Sequence, residues 1–201
     1  MTRISQKLFS AVAVVGTSAL LLASCSRDGR EMKPPTADQT ESIAVATTIA
    51  ESIASIQEFT IAAPWEVGEP IDVQYTCDGS KLSPGFTLAG FPEGTVTWGL
   101  SIVDQTAGNA VHWVAANIDP AIAQVSAGVL PPGAVQSLNR INKVGYAAPC
   151  PKAGEPHTYV LTAYAVSQQL EVTDGMDAET MLTALEAGSL GITSTSFTFT
   201  R

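Results

Sequence analysis

Thr95-Val96-Thr97-Trp98-Gly99-Leu100-Ser101-Ile102-Val103 carries no charge until Asp104 closes it. It is rich in β-branched and large apolar side chains, and it reads as a long, well-buried strand. Val111–Ile118 and Thr158–Val166 have the same character, and Ser194–Thr200 alternates, with Phe197 and Phe199 on one face. Ile71–Thr76 alternates as a half-buried strand should, and Phe59–Ala62 is short and mixed. Turn clusters punctuate these runs: Asp78-Gly79-Ser80, Pro92-Glu93-Gly94 and Pro131-Pro132-Gly133. Asp177–Gly188 is the clear helix, with Met181, Leu182 and Leu185 on one face, Asp177 at its start and Gly188 at its end. Many short strands with one late helix describe a mostly-β sandwich with a short peripheral helix.

Outward from this core the chain changes character. Residues 1–24 carry Arg3 and Lys7 and then an apolar run from Leu8 to Leu22, the layout of a secretory signal. The run is short for a spanning helix. Leu22-Ala23-Ser24-Cys25 resembles a bacterial lipobox, which implies cleavage before Cys25 and lipidation of its sulfur. Residues 25–57 read as a tether. They are rich in Ala, Ser and Thr, and they lack aromatic residues. Ile49, Ile53 and Ile56 recur at helical spacing, but such small side chains bury too little to offset ordering, so disorder or a transient helix is expected. Residues 58–201 form the folded domain, about 140 residues and enough for one core. The expected location is the cell envelope, lipid-anchored to the outer face of the bacterial cytoplasmic membrane or to the outer membrane.

The whole chain has 10 basic and 19 acidic residues, a net charge of −9. Removing the signal takes two basic residues and no acidic one, leaving −11. This excludes the electrostatic footprint of a nucleic-acid partner, and acyl chains rather than charge would hold the protein at a membrane. With Cys25 lipidated, Cys77 and Cys150 remain. Outside the cytoplasm they are expected to pair, closing a loop of about 70 residues worth up to about 4 kcal/mol. Two buried free thiols are the alternative.

The chain holds two histidines, His112 and His157, each in an apolar strand-like run. Imidazoles donate, accept and charge near neutral pH. Two of them with Asp104 suggest a binding site, a weak hydrolase or a zinc or iron site with an open position. Either histidine could equally be a packed core residue. No short His-x-His or His-Glu-x-x-His pair, nucleophile elbow or phosphate-binding Gly-rich loop is present, so no cofactor, metal or catalytic residue is assigned. Asp174–Asp177 lacks the ligand series of a calcium loop and reads as a turn.

Taken in order, Tyr75-Thr76-Cys77-Asp78-Gly79, Leu82-Ser83-Pro84, Gly90-Phe91-Pro92-Glu93-Gly94-Thr95, Asp104, His112-Trp113-Val114, Asn117-Ile118, Gly145-Tyr146, Pro149-Cys150-Pro151 and Pro156-His157-Thr158-Tyr159 resemble the phosphatidylethanolamine-binding protein family. The likeness is strongest to its bacterial, Raf-kinase-inhibitor-like branch. The resemblance implies an antiparallel β-sandwich with a small-anion pocket at one end. Asp104, His112, Gly145, Pro149, His157 and Tyr159 are the implied pocket residues. The implied partner is a small anion or a phosphate-bearing lipid headgroup, bound without covalent chemistry. A protein-interaction role, such as inhibition of an envelope protease, is the main alternative.

The chain departs from the family pattern at three places, one of which puts Thr87-Leu88 where the family has Ser-Trp. Asp-Pro-Asp-x-Pro becomes Asp104-Gln105-Thr106-Ala107-Gly108, and Gly-x-His-Arg becomes Glu155-Pro156-His157-Thr158. Lost prolines should loosen one wall, and the lost Arg removes a fork suited to phosphate. Two imidazoles, a phenol and backbone N–H groups near Gly145 are the expected donors. Asp104 is expected to fix a histidine tautomer or to hold a protonated histidine against the anion.

Overall fold

A computed structural model describes residues 58–201. The signal, Cys25 and the tether lie outside the described residues. Eight strands and one α-helix follow in chain order: β1 (Thr60–Ala62), β2 (Phe86–Ala89), β3 (Thr97–Asp104), β4 (Ala110–Ile118), β5 (Gln124–Val125), β6 (Val135–Gln136), β7 (Pro156–Val166), α1 (Ala178–Ala187) and β8 (Ser189–Thr200). They build a three-stranded sheet in the order β1-β2-β5 and a five-stranded sheet in the order β6-β4-β3-β7-β8. Every strand pairing within the two sheets is antiparallel. The fold is the expected mostly-β sandwich. Among the described residues no helix is long and apolar enough to cross a membrane.

The apolar run that opened the reading is β3, the central strand of the larger sheet, buried along nearly its whole length. Side chains alternate across a strand. Trp98, Leu100 and Ile102 therefore face the small sheet, where they pack with Phe86 and Leu88 of β2, Trp113, Leu161 and Phe197. Gly99 and Ser101 face the other way. On that side Val114, Ala116, Tyr164 and Val166 meet Met181 and Leu185 of α1. A Cβ on Gly99 would lie 2.7 Å from the Ala115 carbonyl oxygen and would also run into Leu185 of the helix, so the close approach here requires glycine. The helix is bounded as its sequence implies. Asp177 Oδ1 accepts from the Thr180 N–H at 3.0 Å, and the Gly188 N–H donates to Ala184 O at 3.1 Å.

Three expectations need correction. Ile71–Thr76 is no strand but surrounds a 3-10 turn at Val73–Tyr75. Asp72 accepts from the Gln74 N–H at 2.9 Å, which competes with an extended chain, and the two buried large side chains, Ile71 and Tyr75, are four residues apart rather than two. The last two long strands start earlier than their apolar runs, β7 at Pro156 and β8 at Ser189. β2, β5 and β6 were not foreseen, because strands of two to four residues carry too little periodicity to register.

Cys77 and Cys150 form a disulfide with Cα atoms 5.3 Å apart. It joins the turn after the 3-10 segment to the loop before β7, and the Cys77 N–H also donates to Pro149 O at 3.0 Å. The bridge closes a span of 73 residues that includes β2 to β6. Replacing both cysteines with serine is expected to lower unfolding stability by about 3–4 kcal/mol in denaturant titrations. A loss below about 1 kcal/mol would show that the rest of the fold already confines this loop.

Candidate functional site

The alternation that places Leu100 and Ile102 in the core places Asp104 on the same face at the end of β3. Asp104 is opposite Tyr159 in the β3–β7 register, and His157 lies two residues earlier on the same face of β7. A single carboxylate, an imidazole and a phenol thus converge at one end of the sandwich by strand geometry alone.

His112 joins them through an irregularity. Ile102 pairs with Trp113 whereas Val103 pairs with Val111, so His112 is the extra residue of a β-bulge. A bulge redirects a side chain that strict alternation would send to the opposite face. The His112 ring meets Tyr159 edge-on at 5.2 Å, and Tyr159 stacks on Phe197 at 5.2 Å and near His157 at 6.2 Å. Both His112 and Tyr159 are 1% exposed and Asp104 is 3% exposed.

Asp104 is held through both oxygens. Its Oδ1 accepts from the N–H groups of Thr106 at 3.0 Å and Ala107 at 3.1 Å. Its Oδ2 accepts from His157 Nδ1 at 2.7 Å. The Thr106 hydroxyl in turn accepts from the Thr158 N–H at 2.9 Å. In the family pattern the prolines fall at Gln105 and Gly108 and the second acid at Thr106. With neither ring present, the turn is held by the bonds from the Thr106 and Ala107 N–H groups to Asp104 and from the Thr158 N–H to the Thr106 hydroxyl.

The two imidazoles differ. His112 Nδ1 donates to the Ala147 carbonyl at 2.6 Å, and the Ala147 N–H returns a bond to His112 O at 2.8 Å. His112 Nε2 is buried without a hydrogen-bond partner, 3.9 Å from Asp104 Oδ2. Burial pushes the His112 pKa below its ordinary value; the Ala147 bond and, less strongly, Asp104 pull it up, while the Arg140 charge and His157 add to the lowering. The charged histidine expected to face an anion is thus not His112. The Tyr159 phenol is held protonated far above its usual range, by burial first and then by the neighbouring Asp104.

Gly145 and Pro149 flank Ala147, the hydrogen-bond partner of His112, on the loop before β7. The Gly145 N–H donates to Ser137 O at 3.1 Å, so the amide groups of Gly145 and Ala147 are both engaged within the protein. These two N–H groups are therefore not the donors for a ligand. Gly145, at φ +94°, instead passes close to Gln136, where a Cβ would lie 3.0 Å from Oε1. It lines a groove of about 280 Å³ with Lys81, Ser83, Trp113, Gln136 and Tyr146. Pro149 is anchored to Cys77. Their link to the cluster is the backbone between them, where Ala147 holds His112.

Sequence reasoning missed Arg140. Its N–H donates to Val111 O at 2.8 Å, which seats it beside His112, and its charge bears on both His112 and Tyr159. Residues 58–201 contain five Lys and Arg against fourteen Asp and Glu, so a cation at this position is notable. Its distance of 17 residues from His157 in sequence hid it. Among the described residues no group of His, Cys, Asp or Glu is arranged to hold a metal ion.

A β-sandwich with a buried acid, two imidazoles and a phenol at one end defines a small-molecule binding class, and comparison with known proteins gives the family. Residues 62–200 match the family model described as "Phosphatidylethanolamine-binding protein". The chain belongs to that family. A UPF0098 protein of Methanothermobacter thermautotrophicus is 36% identical over 128 residues, covering 60% of this chain and 84% of the relative. The "Putative lipoprotein LppC" of Mycobacterium tuberculosis is 33% identical over 123 residues, covering 59% of this chain and 61% of the relative. The crystal structure of Escherichia coli YbcL, described as a member of the mammalian PEBP family, superposes with a TM-score of 0.67 at 24% identity, covering 72% of this chain and 99% of the other. That last likeness speaks to fold.

Because the folded state lowers the His112 pKa, the unfolded chain binds the His112 proton more readily. The stability His112 confers as a neutral ring is full above the ordinary histidine pKa of about 6.5 and is lost as pH falls from there through the folded value. Denaturant titrations across that acidic window should show falling stability, and His112→Gln should flatten this part of the profile. An unchanged slope in the variant would assign the acid sensitivity to other groups.

Proposed function

We propose that this protein is an envelope-located, membrane-tethered binding module that takes a small phosphate-bearing anion at the Asp104–His112–His157–Tyr159 cluster and performs no covalent chemistry. The observation that carries the reading is the 2.7 Å bond from His157 Nδ1 to Asp104 Oδ2, which fixes the ring and turns its other nitrogen outward, 4.0 Å from Glu155 Oε2 and without a hydrogen bond to it. Beside it lies the Tyr159 phenol, kept protonated by burial and by Asp104, and the charge of the exposed Arg140 reaches both Tyr159 and His112. Arg140 supports phosphate recognition despite the missing Arg after His157, because a guanidinium offers several N–H donors to one oxyanion. Membership of the family favours a headgroup-sized ligand, and we place the chain in the bacterial Raf-kinase-inhibitor-like branch on its motif order.

The tether rests on the apolar segment ending at Cys25, on the disulfide and on the name of the mycobacterial relative. Disulfides persist outside the reducing cytoplasm. Cells expressing the full chain should incorporate labelled palmitate, and Cys25→Ala should remove the label. Labelling that survives this change rules out Cys25 as the lipid site.

Calorimetric titration with inorganic phosphate tests the site. The wild-type chain should bind, and His157→Ala should weaken binding by about tenfold or more, since a charge-assisted hydrogen bond and the ring's orientation are lost together. Absence of binding by the wild type at millimolar phosphate would end the anion reading.

A further inference from the structure

We propose that this site selects oxyanions that still carry a proton, hydrogen phosphate over sulfate, because its innermost polar atom, His112 Nε2, can only accept a hydrogen bond. The inference rests on the anion reading above and narrows it to a ligand chemistry. A carbonyl cannot donate, so the 2.6 Å contact between His112 Nδ1 and Ala147 O requires the ring hydrogen on Nδ1. Nε2 is then a bare lone pair. It is buried, it has no partner in the protein, and its nearest charged neighbour is another acceptor, Asp104 Oδ2, at 3.9 Å. Protonating Nε2 would satisfy both, but burial and the Arg140 charge oppose it.

The other groups facing His112 do not relieve this. His157 directs its Nδ1 hydrogen to Asp104 Oδ2, Tyr159 presents its ring edge-on to the imidazole, and the exposed Arg140 makes no hydrogen bond to Nε2. The entering atom must therefore bring the hydrogen. Inorganic phosphate keeps at least one P–OH at neutral pH and sulfate has none. A phosphate monoester keeps its P–OH only below its second pKa, near 6. A site with an unpaired buried acceptor discriminates strongly against a ligand that cannot donate to it.

The test uses the full-length chain in detergent, with sodium phosphate and sodium sulfate as probes near neutral pH at matched ionic strength. Phosphate should bind about tenfold or more tightly than sulfate. Equal affinities overturn the selection and leave the anion site standing, whereas no binding of either anion overturns both. His112→Gln places an amide that can turn a donor inward, and it should bring the two affinities within about threefold. A tenfold preference retained in that variant removes His112 as its source. Should the variant fail to fold, methyl phosphate on the wild type decides. Both phosphates gain the same charge between about pH 5 and about pH 8, but methyl phosphate alone loses its last proton. Its affinity relative to inorganic phosphate should drop about tenfold across that interval. A constant ratio overturns the proposal.

Discussion

The molecule depends on the two-residue alternation of one buried strand. β3 sends Trp98, Leu100 and Ile102 into the space between the sheets and then, on the same face, sends Asp104. A carboxylate at the end of an apolar row is costly unless every oxygen is engaged. The surrounding chain is arranged to do this. Two backbone N–H groups of the β3–β4 turn meet one oxygen and His157 meets the other. The same requirement fixes the turn, the ring of His157 and, through Thr106, the start of β7. The site is the solution to a burial problem that the core creates.

The two faces of the larger sheet carry different loads. Between the sheets, large aromatic and aliphatic side chains interlock, and that layer leads directly to the polar cluster. On the helical side the sheet presents smaller residues, with Gly99 admitting Leu185 and the Ser101 hydroxyl meeting the Tyr164 phenol at 3.2 Å. Asn117, at positive φ within β4, bonds Leu170 through both ends of its amide at 2.9 Å and ties the segment before α1 to the sheet. Support of the helix and construction of the site are thereby kept to opposite surfaces.

The long strands and the helix were legible in sequence because burial on one or both faces leaves a periodic record, as in Trp98–Ile102, Phe197–Phe199 and Met181–Leu185. The short strands were not, since Val135-Gln136 and Gln124-Val125 are defined by their partners rather than by their own pattern. Ile71–Thr76 misled because a local bond from Asp72 outweighed an alternating composition. At the site, Asp104, His157 and Tyr159 follow from strand parity. The inward turn of His112 does not, because a bulge depends on pairing with another strand. The neutrality of His112 was likewise hidden, as it comes from burial and from the charge of Arg140, 28 residues away in sequence. Arg140 left no local mark for the same reason.

The bulge at His112 also bears on how this domain can vary through descent. The turn at residues 105–109 is a surface connection whose length is set by a few hydrogen bonds, and surface turns tolerate changes in length. β4 has no such latitude near its start. Deleting one residue there would remove the irregularity, restore plain alternation and carry the imidazole to the helical face, leaving a cavity beside Tyr159. An insertion beyond Ala107 leaves the bonds of the turn to Asp104 in place, whereas the residue count between Ala110 and Trp113 cannot change while the site is kept.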